Sequence, residues 1–267
     1  MKNKPKFNLP DRLLIDTDSD RFAYAREKIL AEERIREGIG TLSEKTLHKI
    51  LKHYIEPNAV YHEVDYLGSV ADIKNGQGIF EIQTRGYDRL LPKLKKLLPE
   101  SKVTVVCPLA AEKHLSWIDE KTGESTQPRR SNKRENIFDA FKMLFGIREV
   151  ITHENLSVRI VYMSVDDLRS LNGYGKDKKH YSTRIDRIPR EIFLEIELSS
   201  PKDYVSLLPE ALPREFVASE LSAQIKRTSR YTFYVLKLLE AVGAVRAIGK
   251  RGRATLDERE YEKSKAE

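Results

Sequence analysis

A single cysteine, Cys107, among 267 residues leaves no internal disulfide and no zinc cage built on cysteine pairs. No apolar run approaches the roughly 20 residues that a membrane span requires. The basic amino terminus, MKNKPKFNLPDRLLID, lacks the apolar segment and small-residue cleavage site of a secretory signal. The expected setting is a reducing cytoplasm without membrane contact. There is no G-x-x-x-x-G-K-[ST] loop to cradle a nucleotide phosphate and no G-x-S-x-G elbow, so neither ATP use nor serine-hydrolase chemistry is expected. Cys107 ends an apolar run and reads as core. His53, His114, His153 and His180 share no metal-ligand spacing and read as surface or packing residues.

What the chain does carry is charge: 48 Lys plus Arg against 41 Asp plus Glu, a net +7, with 40% hydrophobic residues. That hydrophobic content excludes wholesale disorder. The length allows one core with a small appendage, because single cores rarely grow past about 200 to 250 residues. An excess of seven is small, so its placement along the chain carries the information.

The pattern predicts a surface helix over residues 20–37, with Phe22, Ala25, Ile29 and Ile35 among alternating charges, lying outside the core. A second helix opens at Thr41-Leu42-Ser43-Glu44, carries Leu47, Ile50, Leu51, Tyr54 and Ile55, and stops at Pro57. Extended segments at 60–67, 69–74 and 78–84 follow as an antiparallel meander around the turn Asn75-Gly76. Tyr87 to Leu98 is a basic amphipathic helix, and Val103 to Cys107 a strand buried on both faces, implying a parallel crossover. Beyond it, residues 119–135 read as a flexible basic loop containing Arg129 and Arg130. Then come a helix at 137–145, a strand at 157–163, a short helix at 165–171 and a second basic loop at 173–190 carrying a net +4. Residues 191–198 fit strand or helix.

From Phe216 onward the spacing gives a short helix (218–225), a break, a longer helix (229–241) and a hairpin (245–256) with a cationic tip. This resembles a winged helix-turn-helix. The resemblance implies that Thr228, Ser229, Arg230, Tyr231 and Thr232 open a recognition helix facing DNA, and that Lys250, Arg251 and Arg253 form a phosphate-contacting wing. Residues 211–255 hold nine basic residues against three acidic ones. The plainer alternative is a protein-interaction or dimerisation module.

Asp72, Glu81 and Gln83 lie on what read as neighbouring strands. Glu81 and Gln83 share a face because side chains alternate along a strand. If the two strands pair through their turn, Asp72 comes alongside, and such an oxygen-rich cluster suits Mg²⁺ or Mn²⁺ and phosphodiester hydrolysis.

These residues, in the order helix, three strands, helix, strand, resemble the PD-(D/E)XK superfamily, which includes restriction endonucleases and Holliday-junction resolvases. The resemblance covers about residues 41–107 and extends to uncharacterised bacterial proteins. It implies an α/β fold with a restriction-endonuclease-like mixed sheet (αβββαβ core) and a small C-terminal winged-helix domain. The units would be an N-terminal helical extension (1–40), a nuclease-like domain (41–200) and the winged module (211–256). It implies Mg or Mn held by Asp72, Glu81, the main-chain carbonyl of Ile82 and Glu44 on the first helix. Gln83 stands where the family usually has a lysine that stabilises developing charge, and Lys74, two residues after Asp72, offers a cation instead. The implied function is a DNA-binding, metal-dependent phosphodiesterase, or, because of Gln83, an inactive nuclease fold serving as a DNA-binding regulator or scaffold. A homodimer would suit cleavage of both strands, though nothing in the chain demands one.

Each residue also has a plainer role. Glu44 completes a Thr-x-x-Glu capping box, Asp72 sits beside a turn it could cap, and Glu81 could pair with Arg85 or a lysine. Glu63 and Asp65 read as solvent-face residues.

Overall fold

The run that opens at Val103 extends well past Cys107. In the computed structural model, which describes residues 7, 9–36, 46–119, 122, 124–170 and 183–259, it becomes one of three long central strands. In chain order the elements are β1 (Leu14–Ile15), α1 (Ser19–Arg36), α2 (Thr46–Ile55), β2 (His62–Tyr66), β3 (Ser69–Asn75), β4 (Gly78–Ile82), α3 (Tyr87–Leu97), β5 (Val103–Ile118), β6 (Arg129–Arg130), α4 (Ile137–Leu144), β7 (Leu156–Ser170), β8 (Thr183–Leu198) and α5 (Pro201–Val205). The last part contains β9 (Glu215–Val217), α6 (Ala218–Ile225), α7 (Ser229–Ala241), β10 (Val245–Arg251) and β11 (Ala254–Arg259). The chain is therefore a mixed α/β protein.

The large sheet runs β1-β8-β7-β5-β4-β3-β2, with β6 added to β5. β5 is parallel to both β4 and β7, whereas β2, β3 and β4 form an antiparallel meander. Alternation divides the apolar residues between the two faces. Ile79, Val105, Cys107 and Leu109 join α3 and α4 in one buried cluster, while Phe80, Ile82, Val106 and Ala110 join α1 and α2 in another. Each fully buried Leu, Ile or Phe contributes roughly 1.5–3 kcal/mol, so both faces are firmly covered. Gly78 allows β4 to meet β5: a Cβ there would stand 2.6 Å from the Lys102 carbonyl oxygen, and φ is +128°.

Several expectations change. α1 is not outside the core. Phe22, Ala25 and Ile29 are buried against α2, and the Phe22 ring meets Tyr54 edge-on at 5.7 Å. Three apolar residues on one narrow stripe are enough to dock a helix whose other faces are charged. Residues 165–170 continue β7 as strand, because the buried Asp167 is held there by Arg169 and by Arg184 and Arg187 of β8. Tertiary pairing overrides local propensity here. Residues 183–190 belong to β8 and not to a basic loop, while 171–182 lie outside the described residues. Arg129 and Arg130 are strand residues, paired with Leu115 and His114 of β5.

The last part forms a three-stranded antiparallel sheet, β10-β11-β9, packed with α6 and α7. Its apolar residues Phe216, Leu221, Val235 and Leu238 belong to the same cluster as α3 and α4. It shares the core of the main sheet.

Candidate functional site

The β3–β4 hairpin is built by its turn: Asn75 Oδ1 accepts from the Gln77 N–H at 2.9 Å, and the rungs Asn75↔Gly78, Lys74↔Ile79 and Ile73↔Phe80 follow. The ladder then stops. At the next level the Ile82 N–H donates to the carboxylate of Asp72 at 2.8 Å. On the other side of β3 the rung opposite Asp72 is also missing, and the residue there, Glu63, has φ +53°. The sheet thus opens at Asp72, and a side-chain oxygen replaces a backbone one.

Two α2 residues one turn apart reach this opening. His48 Nε2 is 3.1 Å from Asp72 Oδ2, and Lys52 Nζ is 2.9 Å from Glu63 Oε1. Glu81 lies on β4 and is buried, with Lys93 Nζ of α3 at 2.6 Å from its Oε2. Among the described residues its other oxygen, Oε1, is buried without a hydrogen-bond partner. Burial, then the nearby charge of Asp72, pushes the Glu81 carboxyl up to about 7 despite Lys93. For Asp72 burial also acts upward, but the hydrogen bond and charge of His48, with the Ile82 N–H, outweigh it and hold this carboxyl below its usual value. The Lys52 bond likewise lowers Glu63. Two neighbouring carboxyls with pKa values driven apart are a common sign of a functional site.

The structure brings Asp72 and Glu81 together through Ile82, but not the other expected partners. Gln83 lies past the end of β4, and its amide donates to the carbonyls of Arg85 and Gly86 in the turn before α3. Lys74 is turned onto the Tyr66 ring, 4.6 Å from its centroid. Glu44 lies outside the described residues. Sequence reasoning missed Lys93 and His48. The signal for Lys93 was indirect: a helix that crosses back between parallel strands covers the face on which Glu81 points.

An open oxygen on Glu81 beside Asp72 is what a hard cation would use, so these two residues fit Mg or Mn as partial ligands. Among the described residues no group of three or more His, Cys, Asp or Glu side chains is placed to hold a metal ion. The set therefore needs main-chain oxygen, water or Glu44 to complete it.

At the other end of the molecule, Thr228 caps α7 by accepting from the Tyr231 N–H, and Ser229 and Arg230 are exposed. Thr232 is fully buried, with its hydroxyl on the Thr228 carbonyl, so it faces the core and not a nucleic acid. Arg251 is tied to both carboxylate oxygens of Glu220, at 3.0 and 3.1 Å. Lys250 and Arg253 are exposed at the hairpin tip. Arg129 is exposed on β6, and Arg130 pairs with Glu112.

Comparison with known proteins returns relatives but no mechanism. A protein of Treponema pallidum (strain Nichols), described as "Uncharacterized protein", is 30% identical over 223 residues, spanning 83% of this chain and 88% of its own. No solved structure matches. The profile described as Domain of unknown function (DUF8091) matches residues 45–199, from α2 through the end of β8 and so including Asp72, Glu81 and Lys93. The chain belongs to the DUF8091 family.

Proposed function

We propose that the protein is a metal-dependent phosphodiesterase acting on DNA, of the kind the PD-(D/E)XK resemblance implies. The observation that carries this reading is the buried Glu81, with one oxygen unpartnered and the other on Lys93, next to an Asp72 fixed by His48 and the Ile82 N–H. Asp72, Glu81 and the carbonyl of Ile82 would hold Mg or Mn, with Glu44 a further acid. When bound, the ion would polarise the phosphate and lower the pKa of the attacking water. The chain's own groups do the rest. Lys93 offers a cation for the charge developing on the phosphate, the role that Gln83 cannot fill. His48 keeps Asp72 oriented and ionised. Ser229, Arg230, Lys250, Arg253 and Arg129 are exposed where they can meet phosphates. Among the described residues no helix is long and apolar enough to cross a membrane, and we place the activity in the cytoplasm, with a homodimer as one arrangement that would cut both strands.

A second reading, an inactive nuclease fold acting as a DNA-binding regulator, is favoured by one observation: Gln83 is used by the turn before α3. Incubation of the purified protein with plasmid, branched and single-stranded DNA in Mg²⁺ or Mn²⁺ separates the two. The nuclease reading expects a nick that Glu81→Ala abolishes. Binding without cleavage, or cleavage that survives Glu81→Ala, rejects it.

A further inference from the structure

The helix-turn-helix resemblance directs attention to duplex DNA, yet the first turn of α7 is already occupied. Arg227 Nη2 and the Tyr231 hydroxyl each lie 2.7 Å from the carboxylate of Asp139 on α4, and Thr232 is buried. A recognition helix enters the major groove with its amino-terminal residues. Here that turn is docked on the main body, which leaves Ser229 and Arg230 free of it.

From this turn four cavities form a series, here called the furrow, in which each shares at least one wall residue with the next. One of about 590 Å³ lies at the α6–α7 turn and meets one of about 890 Å³ at Arg227. A smaller cavity of about 150 Å³ shares Glu135 with the latter. That in turn opens at Arg85 and Met143 into a groove of about 540 Å³ beside the start of α3, just after the strand that carries Glu81. The walls change character along its length. At the α7 end stand Lys226, Lys133 and Arg134, exposed and without ion pairs among the described residues, whereas Glu135 and Asp139 in the same wall are neutralised by Lys113 and Arg227.

At the α3 end the walls are aromatic. Half-buried Tyr234 meets the half-buried Phe145 ring at 5.2 Å, and Arg148 stacks on that ring at 4.1 Å. Gly146 fixes this end in place. A Cβ there would stand 2.6 Å from the Asp88 backbone nitrogen, so the turn bearing Phe145 is pressed onto the first turn of α3.

A duplex keeps its base faces stacked on one another, out of reach of such rings. Cations followed by partly exposed aromatics suit a single strand, one set for its phosphates and the other for its bases. We infer that the furrow is a track for single-stranded DNA, leading from the α6–α7 turn to the start of α3, the helix that carries Lys93. This rests on the proposed function and deepens it by naming the substrate class: single-stranded DNA, or the unpaired portion of a branched molecule.

The test is equilibrium binding of the full chain to labelled oligo-dT and to a fully paired duplex of equal length, with a chelator present so that cleavage plays no part. The expected result is at least about tenfold tighter binding of the single strand. Lys133→Glu/Arg134→Glu and, separately, Tyr234→Ala are each expected to weaken it about tenfold, measured at a temperature where circular dichroism shows every variant folded. Lys96→Glu/Lys102→Glu, exposed and outside the walls of all four cavities, is expected to change it less than about twofold. Duplex bound as tightly as the strand, or strand binding unaffected by both furrow variants, overturns the proposal. Strand binding of the expected pattern together with no cleavage in Mg²⁺ or Mn²⁺ upholds the track and rejects the nuclease reading alone.

Discussion

Lys93 Nζ lies 2.6 Å from Glu81 Oε2 and 2.5 Å from the Val70 carbonyl oxygen, so one α3 side chain ties the buried carboxylate of β4 to β3. Replacing it by methionine keeps the stem and removes the charge. Glu81 would then lose the influence that opposes its burial, and its carboxyl is expected to rise further above about 7. If Lys93 also stabilises charge on the phosphate, Lys93→Met lowers cleavage by about 10²–10³-fold. Carboxyl-carbon NMR titration follows the first effect and nicking rates the second.

Glu81→Gln makes stability depend differently on pH. The folded-state pKa of Glu81, about 7, lies above its ordinary value of 4.5. Its protonated form therefore favours the folded state, a contribution complete below about 4.5 and lost as pH rises through about 7. Glutamine mimics the protonated acid at every pH. In chelator, Glu81→Gln is expected to match the parent near pH 4 and to be more stable by on the order of 2 kcal/mol at pH 8. Urea unfolding at the two pH values measures the difference. The same variant is expected to lose any Mn²⁺-induced rise in melting temperature.

Asp72 and Glu81 were legible in the sequence because the turn Asn75-Gly76 and the strand period fix their relation locally. Their partners were not. His48 and Lys93 come from helices before and after the hairpin, and only the packing of those helices on opposite faces brings both to one site. Gln83 and Lys74 mislead for the complementary reason. Spacing along a strand gives a face, but Gln83 lies past the strand end and bonds the following turn, and Lys74 finds an aromatic ring.

His48→Ala removes the imidazole from Asp72 while leaving the Ile82 N–H in place. The expected cost is about 1 kcal/mol of stability at neutral pH. The lowered pKa of Asp72 means that its contribution is present above the ordinary value and is lost as pH falls, so the difference between parent and variant shrinks in acid. If Asp72 holds a metal ion, its affinity falls about 10–100-fold, as is usual when a ligand loses the group that orients it. Calorimetric titration with Mn²⁺ checks this.

The helices and the hairpins were the readable part of the fold, since α2, α3, α4, α6 and α7 each present an apolar stripe. The long outer portions of β5, β7 and β8 were not readable. There Glu112, Asp166 and Asp167 replace apolar residues, and what keeps them extended is pairing with Arg130, Arg190 and Arg184 across strands and with His114 and Arg169 of their own strands. A local pattern of Asp and Leu looks helical when its partners, distant in sequence, are not in view.

Asp139 tests whether the last part of the chain is a separable module. This residue accepts from the Asn136 N–H at 2.8 Å as part of the α4 cap, and from Arg227 and Tyr231 at 2.7 Å each. Those contacts hold the start of α7 on α4, above an apolar cluster that runs through both. Asp139→Ala removes a cap contact and leaves a partly buried guanidinium and a phenol without their acceptor. The expected loss is about 2–4 kcal/mol. Asp139→Asn, which can still accept from the cap, is expected to lose less, and Tyr231→Phe about 1 kcal/mol. Because the core is shared, unfolding should remain a single transition in every variant, with amide exchange in α7 and α4 rising together. Accelerated exchange confined to α7, or a separate early transition, would show that the last part of the chain folds independently of the sheet.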